Sequence, residues 1–202
     1  MKKISLLVVF IPFIFYSIAL AQPDAQQKLD ELQSKFDSIK DLSADITQSV
    51  GGKANLTGKI FYQKENKLRF EFKNILIVSD GETSWNYNKR DNKVIVTNFE
   101  NEGTNILSIE ELIYEYPKEC DISSYEFEGQ TVLEFVPNSS TLNFSSIKLW
   151  INEEHLVTRA LFEDPATGLV QIDLSNYRLN SNLPANYFSF KPPVESEIID
   201  LR

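Results

Sequence analysis

Residues 67–88 read KLRFEFKNILIVSDGETSWNYN, and this stretch decides the fold. Leu68, Phe70 and Phe72 alternate with Lys67, Arg69, Glu71 and Lys73, the period of two that marks a strand with one apolar face. Ile75 to Val78 is apolar on both faces, Asp80-Gly81 is a hairpin turn signal, and Trp85 and Tyr87 resume the alternation. Working outward, Leu56, Gly58, Ile60 and Tyr62 share a face upstream, and Ala44, Ile46 and Gln48 alternate before the Gly51-Gly52 turn. Downstream, strand patterns recur at 94–96, 121–127, 131–136, 147–151, 156–162 and 169–174, with a last one near Ile198, Ile199 and Leu201. The spacing predicts a mainly β domain of about eleven strands with short, antiparallel connections, a sheet long enough to curl or close.

Two helical segments interrupt the strands. Ala25, Leu29, Leu32, Phe36 and Ile39 form one apolar stripe, with Asp24 as N-cap. Ser108-Ile109-Glu110-Glu111 matches a capping box, Ile109, Leu112, Ile113 and Tyr116 follow at helical spacing, and Pro117 ends the segment. Both stripes must be buried on the sheet. Phe70, Phe72, Trp85, Tyr87, Phe135, Leu149, Ile151, Ile172 and Leu174 are expected to line one face of it, either as an ordinary core or as the wall of a covered cavity suited to a greasy ligand.

Residues 1–21 read as a cleaved signal peptide. Met1-Lys2-Lys3 is followed by an uncharged run from Ile4 to Leu20, and Ala19-Leu20-Ala21 is a signal-peptidase site. Residues 22–202 then form a single domain. Losing Lys2 and Lys3 takes the formal net charge from −9 to −11, and Met1 is the only methionine. No Cys follows the cleavage site to carry a lipid anchor.

Composition excludes much chemistry. An acidic chain is not built to bind nucleic acid or to dock on anionic lipid. One Cys (Cys120) excludes an intramolecular disulfide and cysteine-cluster metal sites. The one His (His155) follows Glu153-Glu154 in a turn, without a nucleophile motif, and reads as an exposed turn residue. Ser145-Ser146-Ile147-Lys148 spells S-x-x-K, which as a nucleophile site must open a helix; here the sequence that follows alternates as a strand. The pairs Glu110/Glu111, Glu153/Glu154 and Asp41/Asp45 read as solvated faces.

The order of motifs resembles a known family. Leu42-Ser43-Ala44-Asp45-Ile46-Thr47-Gln48 follows an amphipathic helix, and Gly58-Lys59-Ile60-Phe61-Tyr62 leads through Asn66 to Leu68-Arg69-Phe70. Ile77-Val78-Ser79-Asp80-Gly81 with Thr83, Trp85 and Tyr87 comes next, and Phe188-Ser189-Phe190-Lys191-Pro192-Pro193 closes the chain. Together these resemble the outer-membrane lipoprotein carrier family. The resemblance implies an incomplete, unclosed antiparallel β-barrel with helices covering its concave face. It implies a periplasmic, monomeric, non-enzymatic carrier without cofactor or metal. Its cargo would be acylated lipoproteins, taken from an ATP-driven release complex in the inner membrane and delivered to an outer-membrane acceptor.

On that reading Ile60, Tyr62, Phe70, Phe72, Trp85, Tyr87, Phe135, Leu149, Ile151, Ile172 and Leu174 contact the acyl chains, and Ile109, Leu112 and Ile113 belong to a lid. The family often has Arg-Pro before the residue equivalent to Asn66. Here Lys64-Glu65 stand there, so a transfer-linked role falls to Lys64, which keeps the charge without the bidentate geometry of Arg. The same fold carrying another lipid, or an exported hydrolase using His155 or Lys148, are the alternative readings.

Overall fold

The structure is a computed structural model, and it describes residues 25–99, 109–142, 144–164 and 168–202. The expected signal peptide, the Asp24 cap and the Ser108 capping box lie outside these residues. Helix α1 (Ala25–Ser38) buries Leu29, Leu32 and Phe36, the stripe that the three-four spacing requires. Its solvent face carries the one-turn pairs Gln26–Asp30, Gln27–Glu31 and Lys28–Glu31.

Among the described residues twelve strands follow in one sheet. They are β1 (Asp41–Val50), β2 (Lys53–Gln63), β3 (Lys67–Phe72), β4 (Ile75–Asp80), β5 (Thr83–Asn88) and β6 (Lys93–Asn98), then β7 (Cys120–Phe127), β8 (Gln130–Pro137), β9 (Ser146–Ile151), β10 (Val157–Asp164), β11 (Gly168–Leu179) and β12 (Glu197–Asp200). The order is β12-β6-β5-β4-β3-β2-β1-β11-β10-β9-β8-β7, so β7 and β12 are the two free edges and the barrel is not closed. Gly81, at φ 101°, makes the predicted turn between β4 and β5, and the Asp80 carboxylate accepts from the Glu82 and Thr83 amides at 3.0 and 2.8 Å.

This order has a topological consequence. The meander β1–β6 runs away from β1 in one direction, and β7–β11 returns to β1 from the other. The chain must therefore cross from β6 to the opposite edge of the sheet between residues 99 and 119. The described end of this crossing is a π turn (Glu111–Glu115) continued by a 3₁₀ turn (Tyr116–Glu119). Pro117 was expected to end the helical segment, but it sits in the first turn of the 3₁₀ piece, where its missing N–H costs nothing.

A second departure lies at the C-terminus. After β11 the chain passes behind the sheet, where Tyr187 packs edge-on against Phe61 and Phe190 lies against Trp85 and Tyr87. It ends in β12, which pairs with β6 in parallel and not antiparallel fashion. Asp41, buried at the start of β1, anchors the exit from β11: its carboxylate accepts from the Ser181 and Asn182 amides at 2.8 and 3.0 Å.

The concave side holds the core, in contiguous clusters. The first half of α1 lies on β7–β10, with Leu29 and Leu32 against Leu133, Phe135, Ile147 and Leu149. The second half lies on β1–β3, with Phe36 and Ile39 against Leu42, Tyr62 and Leu68. Between them Ala44, Ile46, Ile60 and Phe72 line the floor.

Candidate functional site

A cavity of about 120 Å³ lies between the concave face and its helical cover. Its floor is Leu42, Ile46, Ile60 and Phe70 on β1–β3, and its far wall is Ala160, Phe162, Ile172, Leu174 and Tyr177 on β10 and β11. Leu32 and Phe36 of α1 and Ile39 just after it close one side, and Ile109, Leu112 and Ile113 of the crossing segment close another. The turn between β9 and β10 supplies His155 and Leu156, and Val157 opens β10 beside them. Lys35 and His155 are the charge-bearing groups on this lining, and the Tyr177 hydroxyl is spent on the Val157 carbonyl. The arrangement is an apolar space shielded from water, with few polar groups on its wall.

The expected residues divide by position. Ile60, Phe70, Ile172, Leu174 and the three cover residues line the cavity. Phe72 stacks on Phe70 (6.3 Å between rings) just outside it. Phe135, Leu149 and Ile151 are on the concave side but lie in the filled core beneath Leu29 and Leu32. Tyr62 is buried in the cluster around Phe36.

Trp85 and Tyr87 do not share this face. The register runs Ile60–Phe70–Ile77–Asn86 across β2–β5 on the concave side, while Trp85 pairs with Val78 and Tyr87 with Leu76 on the other. Both aromatic rings lie on the convex side under Phe190. Lys64 is outside the cavity, and its ammonium donates to the Asp37 carbonyl at 2.8 Å, tying β2 to the last turn of α1.

The lining residues missed from the sequence come from α1, β1, β10, β11 and the turns beside them. The stripe of α1 was visible, but nothing in its spacing told which half meets filled core and which meets the cavity. His155 does sit in a turn, half-exposed, yet it also belongs to the cavity lining. The S-x-x-K stretch enters β9, and Lys148 Nζ pairs with Glu134 across the sheet at 3.2 Å, so this Ser and Lys share no helical face. Among the described residues no cluster of three or more His, Cys, Asp or Glu is placed to hold a metal ion.

The cover is tethered by polar contacts. Tyr62 Oη donates to Glu110 Oε1 at 2.8 Å, and the Asn66 amide donates to the same oxygen at 3.3 Å. Tyr114 Oη donates to Asp37 at 2.6 Å, and Gln33 Nε2 donates to the Ile113 carbonyl at 2.9 Å. Burial first, and then the carboxylate each one meets, pushes the Tyr62 and Tyr114 phenols well above their ordinary pKa, so both remain donors throughout the physiological range. Tyr62→Phe is expected to cost about 1.5–3 kcal/mol, the worth of a hydrogen bond to a charged acceptor. Amide exchange across 109–119 should quicken while that of β8 and β9 is unchanged; equal exchange in the cover would count against the tether.

Comparison with known proteins agrees with this geometry. The profile of the family described as outer membrane lipoprotein carrier protein LolA matches residues 37–191. An outer-membrane lipoprotein carrier protein of Legionella pneumophila (strain Corby) is 28% identical over 184 residues, covering 87% of this chain and 91% of the relative. Among solved structures, an uncharacterized conserved protein of Thermus thermophilus superposes with a TM-score of 0.57 at 15% identity, over 87% of this chain and 98% of that one. MucB superposes with a TM-score of 0.52 at 12% identity, over 85% of this chain and 64% of that one. These two likenesses concern the fold alone. The match over most of the chain, together with the unclosed sheet and its helical cover, makes the protein a member of the outer membrane lipoprotein carrier LolA family.

Proposed function

We propose that the protein is a periplasmic carrier that shields the acyl chains of lipoproteins and moves them from the inner to the outer membrane. The observation that carries this reading is the apolar cavity beneath a cover tethered by a few polar contacts. Each methylene withdrawn from water contributes about 0.8 kcal/mol, so a cavity of matched polarity lets a chain enter and leave at small net cost. Ile60, Phe70, Ile172 and Leu174 are the proposed chain contacts. Among the described residues no helix is long and apolar enough to cross a membrane. Residues 1–21 supply the export signal in this reading, and the release complex and acceptor named above are its partners.

The cavity at about 120 Å³ is small against the roughly 300–1,000 Å³ of ordinary ligand pockets. Full loading therefore requires the cover to move, and 109–119 is the segment proposed to do so. Purified protein mixed with a triacylated lipoprotein, after detergent removal, should keep it soluble in a complex seen by size exclusion. Amide exchange in 109–119 should then differ between empty and loaded protein. Aggregation of the cargo in the presence of natively folded protein would sink this reading.

A further inference from the structure

We propose that the mouth of the cavity binds the anionic head group, carboxylate or phosphate, of an amphiphile whose acyl chain runs into the cavity. This rests on the reading above only in taking the cavity to accept acyl chains. The protein as a whole is acidic, with a formal net charge of −9. The charge-bearing groups lining its apolar cavity are nevertheless both basic types, Lys35 and His155.

They lie on the same side. Glu31 is one helical turn before Lys35 on α1, and His155 Nδ1 stands 3.5 Å from Glu31 Oε2. Glu31 does not offset them both. Its carboxylate already accepts from Lys28 and Gln27 at 2.9 Å each, and these contacts hold its pKa below the usual range. Lys35, half-buried, has no carboxylate partner among the described residues. A half-exposed lysine on the lining of an apolar cavity, with no carboxylate bound to it among the described residues, favours an anion that arrives with an apolar tail.

The backbone helps to aim the imidazole. Asn152 Oδ1 accepts from the Glu154 and Leu156 amides at 3.0 and 2.9 Å, and the Asn152 carbonyl accepts from His155 N at 2.9 Å. These bonds hold His155 at φ 58°, a left-handed conformation that is unfavourable outside glycine. Glu153 and Glu154 of the same turn are exposed and are not part of the cavity lining. An imidazole presents at least one N–H donor in either protonation state, so an oxyanion between it and Lys35 is met from two sides.

The test is calorimetric titration of lipid-free protein at low salt, below micelle-forming concentrations, with palmitate, 1-palmitoyl lysophosphatidate and hexadecanol. At least one anionic ligand should bind about tenfold more tightly than the alcohol. Whichever of the two binds better names the source of the anion. In the double variant Lys35→Met/His155→Gln, which keeps the apolar stem of the lysine, the preference should fall to about threefold or less, with cooperative thermal unfolding as the check on folding.

Equal binding of acid and alcohol by the unaltered protein overturns the proposal, as does a preference that survives in a natively folded double variant. Retention of a triacylated lipoprotein, measured in parallel, separates the two readings. Retention without head-group preference defeats only the head-group site. Preference without retention defeats only the lipoprotein carrier.

Discussion

Gly58→Ala is expected to destabilise the protein by about 3 kcal/mol or more, a fall in Tm of roughly 10 °C for a chain of this size. Gly58 is in β2, opposite Ile46 on one side and Phe72 on the other. A Cβ there would stand 2.0 Å from the Glu71 carbonyl oxygen and 2.9 Å from both the Glu71 carbonyl carbon and Phe72 Cδ1. A flexible side-chain tip would swing aside, but this carbonyl belongs to the backbone of the adjacent strand. Relief requires β2 and β3 to separate, and these strands carry Ile60 and Phe70 of the cavity floor. The same substitution at Gly129 meets nothing within 4 Å and has only its positive φ of 77° to contend with. Thermal unfolding of the two variants side by side checks this. A Gly58→Ala protein as stable as Gly129→Ala would mean that β2 and β3 do not approach as closely as described.

How far the site was legible depended on where alternation survives. In β3 the charged residues oppose the apolar ones, so Phe70 was assigned to a face and that face proved concave. In β4 both faces are apolar, because the convex side of β3–β6 is covered by the C-terminal segment around Phe188 and Phe190. A strand buried on both sides loses its period-two signature, and with it the parity needed to continue from Phe70 through β4 to Trp85. The aromatic pair was consequently assigned to the cavity although it belongs to the opposite side.

The cover was legible as an interruption, but its π and 3₁₀ turns were not, since Ile109, Leu112 and Ile113 have the same spacing in an α-helix. Phe135 and Leu149 illustrate a different limit. Strand periodicity gives the face of a residue, while whether that face meets α1 or an empty volume depends on where a helix far away in sequence comes to rest. Lys64 shows the same: its charge was readable, and its partner, a helix-terminal carbonyl, was not.

Filling the cavity should separate carrying from folding. Ala160 on β10 faces the cavity between Ile172 and Leu149, its partners on β11 and β9. Ala160→Phe adds a phenyl ring to a space of about 120 Å³, somewhat below the ~150 Å³ at which an apolar cavity in another protein admits benzene. Because the ring takes volume that is already empty, it recovers dispersion contacts for the lining instead of displacing packed atoms. Tm is therefore expected to stay within a few degrees of the unaltered protein, the net of added burial and modest overpacking.

Acyl binding is expected to fall by about a hundredfold or more, since each methylene denied the cavity forfeits about 0.8 kcal/mol and three to four of them suffice. Ala160→Leu adds less bulk and should give an intermediate loss, which guards against a Phe variant that repacks. Retention of a triacylated lipoprotein and titration with hexadecanol read the same space by independent routes. Undiminished binding by a stable Ala160→Phe protein would show that chains are held elsewhere on the sheet, and the cavity would then be only a packing defect beneath α1.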